Sequence, residues 1–585
     1  MKNVTFDDNY IYINGKKEQI ISGAIHYFRV IPEYWEDRLL KLKEMGCNCV
    51  ETYVCWNLHE KKQGDFDFSG WLDFGRFLDI ANAMGLYAIV RPGPYICSEW
   101  DFGGLPWWIL KNPDICIRSS DERYLDLVAL YLKKVCEILK PRTISNGGNV
   151  IFVQLENEYG SYGTDKDYLN WLKAFYENEG IDCGLITSDG EFDFMLNNGT
   201  LPDVLASVNY RSDAKKCIGT LKRLRANQPG AVMELWNGKA MHWGETFERR
   251  DVLEVKTSVE NALANSQLLN LYMFHGGTNF GFMNGANDYG DKFVVQMTSY
   301  DVDAPLDEYG RRTPKYYAEQ EAICKYTGKE IKNTAKDVVL RNYDDISFVD
   351  SCSLEKCGLS LKCNHSPYAK TMEECDQGYG YIIYEMNIDT SLDNDYMTIP
   401  VVNDIGHIYV DGEYIKTIYR HDSDKTVHFG KKGMYKVSVL VENMGRINHG
   451  LFMKDRKGIF GDITLHNPEY GTAPNIIHFG FDIYSLPLDE LPEDYSSSPE
   501  INKPAFYKYE FNADKAEDTV LYLNGFTRGV VFINGFNLGR HWDVVNSENK
   551  LYIPASLIEK GKNELVIFDV LHKDTKKELY MGERE

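Results

Sequence analysis

The amino-acid sequence predicts a multidomain protein of the α/β plus all-β class: a (β/α)8 or TIM barrel followed by two jelly-roll-like β-sandwich domains. Between about residues 20 and 330, short apolar stretches alternate with amphipathic stretches of helical period. Eight strand candidates occur there, the number that closes a parallel barrel. After residue 330 the helical period fades, and short strand candidates separated by turn residues take over.

The strand candidates of the predicted barrel are short, apolar and regularly spaced. They are Ile20–Ile25, Cys49–Tyr53, Tyr87–Arg91, Val150–Leu155, Leu185–Ser188, Val204–Val208, Ala231–Glu234 and Leu271–Phe274. Between the first three, apolar residues recur on one helical face over residues 35–45 and again over 71–81. Each run ends before a glycine, Gly46 or Gly85, a residue that commonly follows the end of a helix.

Two tight hairpins mark the all-β region. Asp411-Gly412 and Asn534-Gly535 each separate two strand candidates, and both dipeptides favour type I′ turns. Their similar patterns suggest that one β-sandwich design occurs twice, joined by the Pro-, Ser- and acid-rich segment Leu486–Pro504. We predict a barrel over 1–330 and β-sandwiches over 331–485 and 486–585. We expect these two domains to support the barrel structurally rather than to bind sugar themselves.

Charge and composition limit the partners. The chain has 64 Lys and Arg against 87 Asp and Glu, a net charge of −23, which disfavours nucleic acid and anionic membrane surfaces. No apolar run approaches the roughly 20 residues that span a bilayer. A neutral small molecule is therefore the expected partner, and a homo-oligomer is compatible. The first eight residues are polar and unlike an export signal, so we expect a cytoplasmic protein.

Thirteen cysteines are expected to be reduced thiols in that compartment. One group, Cys352, Cys357, Cys363 and Cys375 with His365, is clustered in sequence. It has no paired C-x2-C spacing, which favours ordinary loop cysteines over a zinc site.

The run Gln154-Leu155-Glu156-Asn157-Glu158-Tyr159-Gly160 directly follows an apolar strand candidate. It places carboxyls and an amide at the C-terminal end of a strand, where parallel barrels carry out their chemistry. A carboxyl that protonates a leaving oxygen, beside an amide that holds a hydroxyl, is what glycoside hydrolysis needs. A polar cap on a sheet edge is the alternative. Residue types alone do not choose between Glu156 and Glu158 as the acid.

A second carboxyl comes from Glu234, which ends the seventh strand candidate and precedes Leu235-Trp236. Strands four and seven lie on opposite sides of a barrel mouth, so carboxyls from both can face each other across a sugar ring. A retaining enzyme requires a carboxyl separation of roughly 5–5.5 Å, and an inverting one about 6.5–9.5 Å.

Several motifs spread over nearly the whole chain carry a family resemblance. They are Ser22-Gly23-Ala24-Ile25-His26-Tyr27-Phe28-Arg29, Glu51-Thr52-Tyr53-Val54, Trp56-Asn57, His59-Glu60, Arg91-Pro92-Gly93-Pro94-Tyr95-Ile96-Cys97, Glu99-Trp100, Gly103-Gly104-Leu105-Pro106, Glu156-Asn157-Glu158-Tyr159-Gly160, Tyr272-Met273-Phe274, Gly276-Gly277-Thr278-Asn279-Phe280, Asn534-Gly535 and Asn537-Leu538-Gly539-Arg540. With these motifs the chain resembles the β-galactosidases of glycoside hydrolase family 35, in their bacterial, cytoplasmic form. The resemblance implies that the barrel over 1–330 is catalytic and that the last sandwich, 486–585, is of a galactose-binding type.

The resemblance implies roles for matching residues. Glu158 matches the acid/base, Glu234 the nucleophile and Asn157 the residue that bonds the sugar 2-hydroxyl, while Glu156 becomes a supporting group. The implied activity is retaining, exo-acting cleavage of terminal β-linked galactose from oligosaccharides, with no cofactor and no metal. The residues expected to bind substrate are Tyr53, Cys97, Ser98, Glu99, Asn157, Trp236, Lys239, Tyr272 and Tyr300.

Three positions depart from the family pattern. Ser98 stands where the family usually has alanine, Lys239 where it has tryptophan, and Val302 where it has tyrosine. Galactose and glucose differ only in the direction of one hydroxyl, so a few side chains can change the preference. The alternative is thus the same retaining mechanism on another β-hexoside, as a β-glucosidase or β-glucosyl transferase. Retention of both glutamates and Asn157 argues against a lectin-like binder.

Overall fold

The computed structural model describes residues 3–471 and 476–584; residues 1, 2, 472–475 and 585 of the predicted domain ranges lie outside them. Eight parallel strands close into a barrel, which confirms the predicted fold class. The barrel strands are β1 (Ile20–Ile25), β2 (Cys49–Tyr53), β3 (Tyr87–Arg91), β4 (Val150–Gln154), β5 (Gly184–Gly190), β6 (Leu205–Tyr210), β7 (Ala231–Trp236) and β8 (Leu268–His275). Glu158 follows β4 and Glu234 lies in β7, as predicted.

Helices occupy the connections between barrel strands. The α-helices are Trp35–Glu44, Trp56–His59, Phe74–Ala83, Glu122–Leu139, Tyr159–Tyr162, Lys166–Asn178, Asp193–Gly199, Ala214–Leu224, Val252–Asn265 and Pro314–Thr327. The helix predicted over 71–81 begins later, because the Asp73 carboxylate accepts a bond from the backbone N–H of Arg76 and caps the helix. Among the described helices, none combines the length and apolar character that a bilayer crossing demands.

The two ends of the barrel differ in polarity. At the N-terminal end, apolar side chains such as Ile89, Phe152 and Met233 form a buried cluster. A small sheet of strands Val4–Phe6, Ile11–Ile13 and Lys16–Lys17 contributes to it. Towards the other end the buried side chains are polar: Glu51, Arg91, Gln154, Asn209 and Asn270. Buried polar groups need partners, so this end holds a hydrogen-bonded network rather than a simple core.

The first β-sandwich has a six-stranded and a four-stranded sheet. The larger has the order Lys362–Ser366, Phe481–Leu486, Tyr381–Thr390, Gly433–Glu442, Ile405–Val410 and Glu413–Tyr419, and the smaller has Thr426–His428, Tyr396–Thr398, Thr464–His466 and Ile476–Ile477. Met397, Ile408 and Val439 belong to the buried core of this domain. The predicted hairpin is confirmed, with positive φ at Asp411 (49°) and Gly412 (84°) as a type I′ turn requires.

The last β-sandwich combines a five-stranded and a three-stranded sheet. The first has the order Ser347–Ser353, Ala505–Ala513, Gly561–Asp569, Arg528–Ile533 and Phe536–Trp542, and the second has Lys550–Ile553, Thr519–Asn524 and Glu578–Met581. Its predicted hairpin is also present, with φ of 47° at Asn534 and 82° at Gly535.

The strand Ser347–Ser353 pairs with Ala505–Ala513 and so belongs to the last sandwich, although the predicted range 331–485 assigns it to the first. The first sandwich is therefore inserted between two neighbouring strands of the second. A strand's alternation reveals that it pairs, but its distant partner is set by tertiary packing.

A small mixed sheet ties the barrel to the first sandwich. Ala286–Asp288, in the loop after β8, pairs with Phe293–Val295 on one side and with Ile447–His449 on the other. A separate two-stranded sheet joins Val401–Asn403 to Gly458–Phe460. The mixed sheet places a segment of the first sandwich at the mouth of the barrel.

Candidate active site

A cavity of about 750 Å³ opens at the C-terminal end of the barrel strands. Every side chain predicted to form the site lines it: Tyr53, Cys97, Ser98, Glu99, Asn157, Glu158, Glu234, Trp236, Lys239, Tyr272 and Tyr300. Barrel strands and the loops after them supply all of these residues, as expected for a parallel barrel.

Glu234 is held from three directions. Arg91 Nη2 donates to its Oε1 at 2.6 Å, Tyr53 OH to the same oxygen at 3.2 Å, and Trp236 Nε1 to Oε2 at 2.9 Å. Only 5% of the residue is exposed. On the other side of Arg91 lies Glu51, whose Oε1 is 3.8 Å from Nη1 of the guanidinium. The donors fix the orientation of the Glu234 carboxylate within the cavity wall.

Glu158 occupies a different environment. Its backbone is left-handed, with φ of 48°, and its Oε1 accepts one bond, from Asn209 Nδ2 at 3.0 Å. Burial, together with the nearby negative charge of Glu234, raises the pKa of Glu158 to about 7. This carboxyl can therefore carry a proton near neutral pH, as a general acid must.

Asn157 is locked through its carbonyl oxygen. Oδ1 accepts bonds from Arg91 Nη2 at 2.6 Å, Tyr53 OH at 3.0 Å and Gln154 Nε2 at 3.3 Å. The Nδ2 group makes only a long contact of 3.5 Å with the carbonyl of Ile96. The amide nitrogen thus keeps donor capacity for a substrate hydroxyl.

Glu156 lies outside the cavity lining. Arg118 donates to its two oxygens at 3.0 and 2.8 Å, and Tyr168 OH donates at 3.0 Å. The residue is fully buried. Of the two glutamates that residue types left open, the structure exposes Glu158 to the cavity and ties Glu156 into an ion pair behind it.

Three consecutive residues after β3 form a left-handed turn: Cys97, Ser98 and Glu99 have φ of 56°, 57° and 52°. Such a conformation is costly for L-residues and is concentrated at functional sites. Ser98 Oγ accepts a bond from Arg29 Nη1 at 2.7 Å, and the Glu99 carboxylate accepts one from Tyr300 OH. Burial raises the pKa of Glu99. The turn aims the Cys97 and Glu99 side chains into the cavity.

The other two departures from the family pattern are neighbours. The backbone N–H of Lys239 donates to the Val302 carbonyl at 3.1 Å. Lys239 Nζ lies 3.5 Å from Glu245 Oε2, and its side chain is 45% exposed. Val302 has φ of 48°, unusual for a β-branched residue, and packs in a small cluster with Tyr300. The lysine thus pairs with an acid at the cavity mouth and forms no apolar wall.

Sequence reasoning missed several residues that shape the site. Arg91 is the last residue of β3 and Asn209 the last but one of β6, and a polar residue at the C-terminal end of a barrel strand is the signal that could have identified them. His449 also lines the cavity but comes from the first β-sandwich. Nothing local in its sequence indicates this, because the contact depends on the mixed sheet that docks the two domains.

Within residues 3–471 and 476–584, two groups of possible metal ligands lie close together. The cysteine cluster read from the sequence does not gather at one point; Cys363 and His365 approach Asp482 instead. A second group lies in the cavity, where ligand atoms of Cys97, Glu158 and His449 are all within 4.8 Å of one another. No sequence spacing indicates this second group, because its histidine comes from another domain.

Comparison with known proteins finds family matches for the barrel and for both β-sandwiches. Residues 10–326 match the model of glycosyl hydrolases family 35. Residues 369–473 match the first all-β domain of β-galactosidase, and residues 504–563 match the galactose-binding domain of β-galactosidase.

Relatives from three kingdoms align over almost the whole chain. A β-galactosidase of Xanthomonas manihotis is 38% identical over 93% of this chain and 90% of its own length. A β-galactosidase of Mus musculus is 35% identical over 95% of this chain and 90% of its own length. β-Galactosidase 17 of Arabidopsis thaliana is 34% identical over 96% of this chain and 86% of its own length. With the barrel, the glutamates on opposite strands and these matches, the chain belongs to glycosyl hydrolases family 35.

Proposed function

We propose that the protein is a retaining exo-β-galactosidase that removes terminal non-reducing β-linked galactose, with Glu234 as nucleophile and Glu158 as acid/base. The observation that carries the assignment of roles is the contrast between the two carboxyls. Glu234 accepts three hydrogen bonds, one of them from a guanidinium, whereas Glu158 accepts one and has a pKa of about 7. One carboxyl is arranged to attack and the other to hold a proton.

In the first step Glu234 attacks the anomeric carbon while Glu158 gives its proton to the departing oxygen, and a covalent galactosyl-enzyme forms. Arg91 and Tyr53 hold the Glu234 carboxylate in place through its Oε1. Positioning of this kind lowers the entropic part of the barrier.

In the second step Glu158 must accept a proton from water. The negative charge of Glu234 is one cause of the raised pKa of Glu158, and that charge disappears when Glu234 becomes an ester. The pKa of Glu158 then falls, and the same residue changes from acid to base. A single pair of carboxyls therefore serves both halves of the reaction.

Asn157 has a positioning role in both steps. Because its carbonyl oxygen is occupied by Arg91, Tyr53 and Gln154, its amide nitrogen is the group available to the sugar. A hydrogen bond to the 2-hydroxyl that strengthens in the transition state contributes to such reactions.

The test of the reaction type is to trap the intermediate. A 2-fluoro-galactoside with a good leaving group should label the protein once, and peptide mapping should place the label on Glu234. The first-formed product should keep the β configuration. A label on another residue, or product of inverted configuration, would contradict the proposal.

The test of the sugar is turnover of aryl β-galactoside against aryl β-glucoside at matched concentrations. The proposal expects a higher kcat/KM for the galactoside. A preference for the glucoside would instead support the alternative β-hexosidase. A cytoplasmic location is part of the proposal and can be checked by cell fractionation.

A further inference from the structure

We propose that Cys97, Glu158 and His449 form a binding site for a soft divalent cation such as Zn²⁺, and that occupancy of this site switches the enzyme off. Binding is independent of the proposed function, whereas the inhibition rests on Glu158 being the acid/base. No step of hydrolysis uses this cation.

The donor set suits zinc. Thiolate, imidazole and carboxylate are its usual protein ligands, and three protein ligands with one open position are common at solvent-accessible sites. The three candidate atoms lie within 4.8 Å of one another, and Cys97 Sγ is 3.9 Å from His449 Nδ1. Tetrahedral bond lengths to sulfur and nitrogen imply a separation of roughly 3.5 Å, so the thiol and the imidazole need to approach by only a few tenths of an ångström.

The supporting structure fixes two of the ligands. Cys97 is the first residue of the left-handed turn, which directs its thiol into the cavity. Asn448 Nδ2 lies 3.7 Å from the same sulfur, and the Asn448 carbonyl accepts a bond from Tyr95 OH at 2.6 Å. The segment that carries His449 is thereby anchored beside the thiol. Such supporting contacts contribute to metal affinity.

Access and protonation are compatible with binding from solution. His449 is exposed, while Cys97 and Glu158 are half-buried. Burial, ahead of the charges of Glu99 and Glu158, raises the pKa of the Cys97 thiol to about 12.

Coordination therefore releases protons. The thiol proton of Cys97 leaves to solvent as the sulfur–metal bond forms, and below about pH 7 the Glu158 proton leaves as well. With a metal on Glu158 there is no proton to give to the leaving oxygen. The cation also occupies space that the sugar or its leaving group needs.

The direct experiment uses Co²⁺ as a spectroscopic probe on the full-length protein after chelator treatment. One equivalent should produce a sulfur-to-cobalt charge-transfer band, and galactose should diminish it by competition. Cys97→Ser should abolish the band, and His449→Phe should weaken Co²⁺ binding by roughly 10–100-fold. Zn²⁺ should displace the cobalt and inhibit aryl galactoside hydrolysis, and EDTA should restore the rate.

The matched control is Cys363→Ser/His365→Phe, which removes the corresponding thiol and imidazole from the exposed group on the first sandwich. It should leave the band and the inhibition unchanged. A parent protein without the band, a His449→Phe variant of unchanged affinity, or loss of the band in the control would each overturn the proposal. Cobalt binding at Cys97 without any galactosidase activity would instead count against the proposed function alone.

Discussion

The cavity has a floor and a rim that are built differently. The floor, Tyr53, Arg91, Asn157 and Glu234, is at most 5% exposed, and its members hydrogen-bond to one another. The rim, Arg211, Lys239, Tyr289 and His449, is exposed. Floor residues come from strand ends, and rim residues from loops and a second domain. Buried, mutually bonded groups tolerate little change, whereas exposed loops vary freely. The floor should therefore set the reaction and the rim its selectivity.

The largest loss of activity is expected when the nucleophile Glu234, which belongs to the floor, is replaced. Glu234→Gln should lower kcat for an aryl galactoside by roughly 10⁴-fold or more, because the covalent intermediate can no longer form. The glutamine still fits beside Arg91, so thermal denaturation should show a folded protein. Steady-state kinetics check the loss, and full activity in this variant would remove Glu234 from its role.

The next largest loss of activity is expected when the acid/base Glu158 is replaced. Glu158→Gln should slow substrates with poor leaving groups by about 10²–10⁴-fold and largely spare the first step with activated aryl glycosides, which leave without a proton. Comparing pre-steady-state rates over a series of leaving groups measures this. Glu156→Gln is the control: it should show no dependence on the leaving group, since Glu156 lies behind the cavity in its pair with Arg118.

A pH profile sharpens the comparison between the two carboxyls. Glu158 must be protonated in the first step and its pKa is about 7, so kcat/KM should fall about tenfold per pH unit above that value. kcat/KM falls on the alkaline side because raising the pH removes from Glu158 the proton that the leaving oxygen needs. An alkaline limb near the pKa of an ordinary glutamate would show that neither burial nor the charge of Glu234 raises the pKa of Glu158.

The smallest effect is expected from the departures near the rim. Lys239→Trp/Val302→Tyr should raise the galactose-to-glucose ratio of kcat/KM by about 2–13-fold, the value of one hydrogen bond of ~0.5–1.5 kcal/mol. Since the reaction depends on the floor, kcat for the preferred sugar should change little. A strongly galactose-selective parent with an unchanged double variant would mean that these positions do not control selectivity.

The sequence predicted most of the floor, with the exception of Arg91, and less of the rim, where it predicted Lys239 and missed His449. The eight strands, both hairpins and the placement of Glu158 and Glu234 after opposite strands follow from local periodicity and from position at strand ends. His449 and the pairing of Ser347–Ser353 were missed because both depend on contacts between segments distant in sequence. The roles of the individual site residues stay predictions for the experiments above.

The strand Ser347–Ser353 has a consequence for synthesis of the protein. It leaves the ribosome before the first sandwich, but its partner Ala505–Ala513 follows only about 150 residues later, which takes roughly 8–30 s at usual translation rates. During that time its backbone lacks this partner, and Phe348 and Val349 are exposed even in the finished fold. The last domain thus cannot complete its sheet until translation is almost finished. Until then the unpaired strand Ser347–Ser353 can be bound by a chaperone or by another nascent chain.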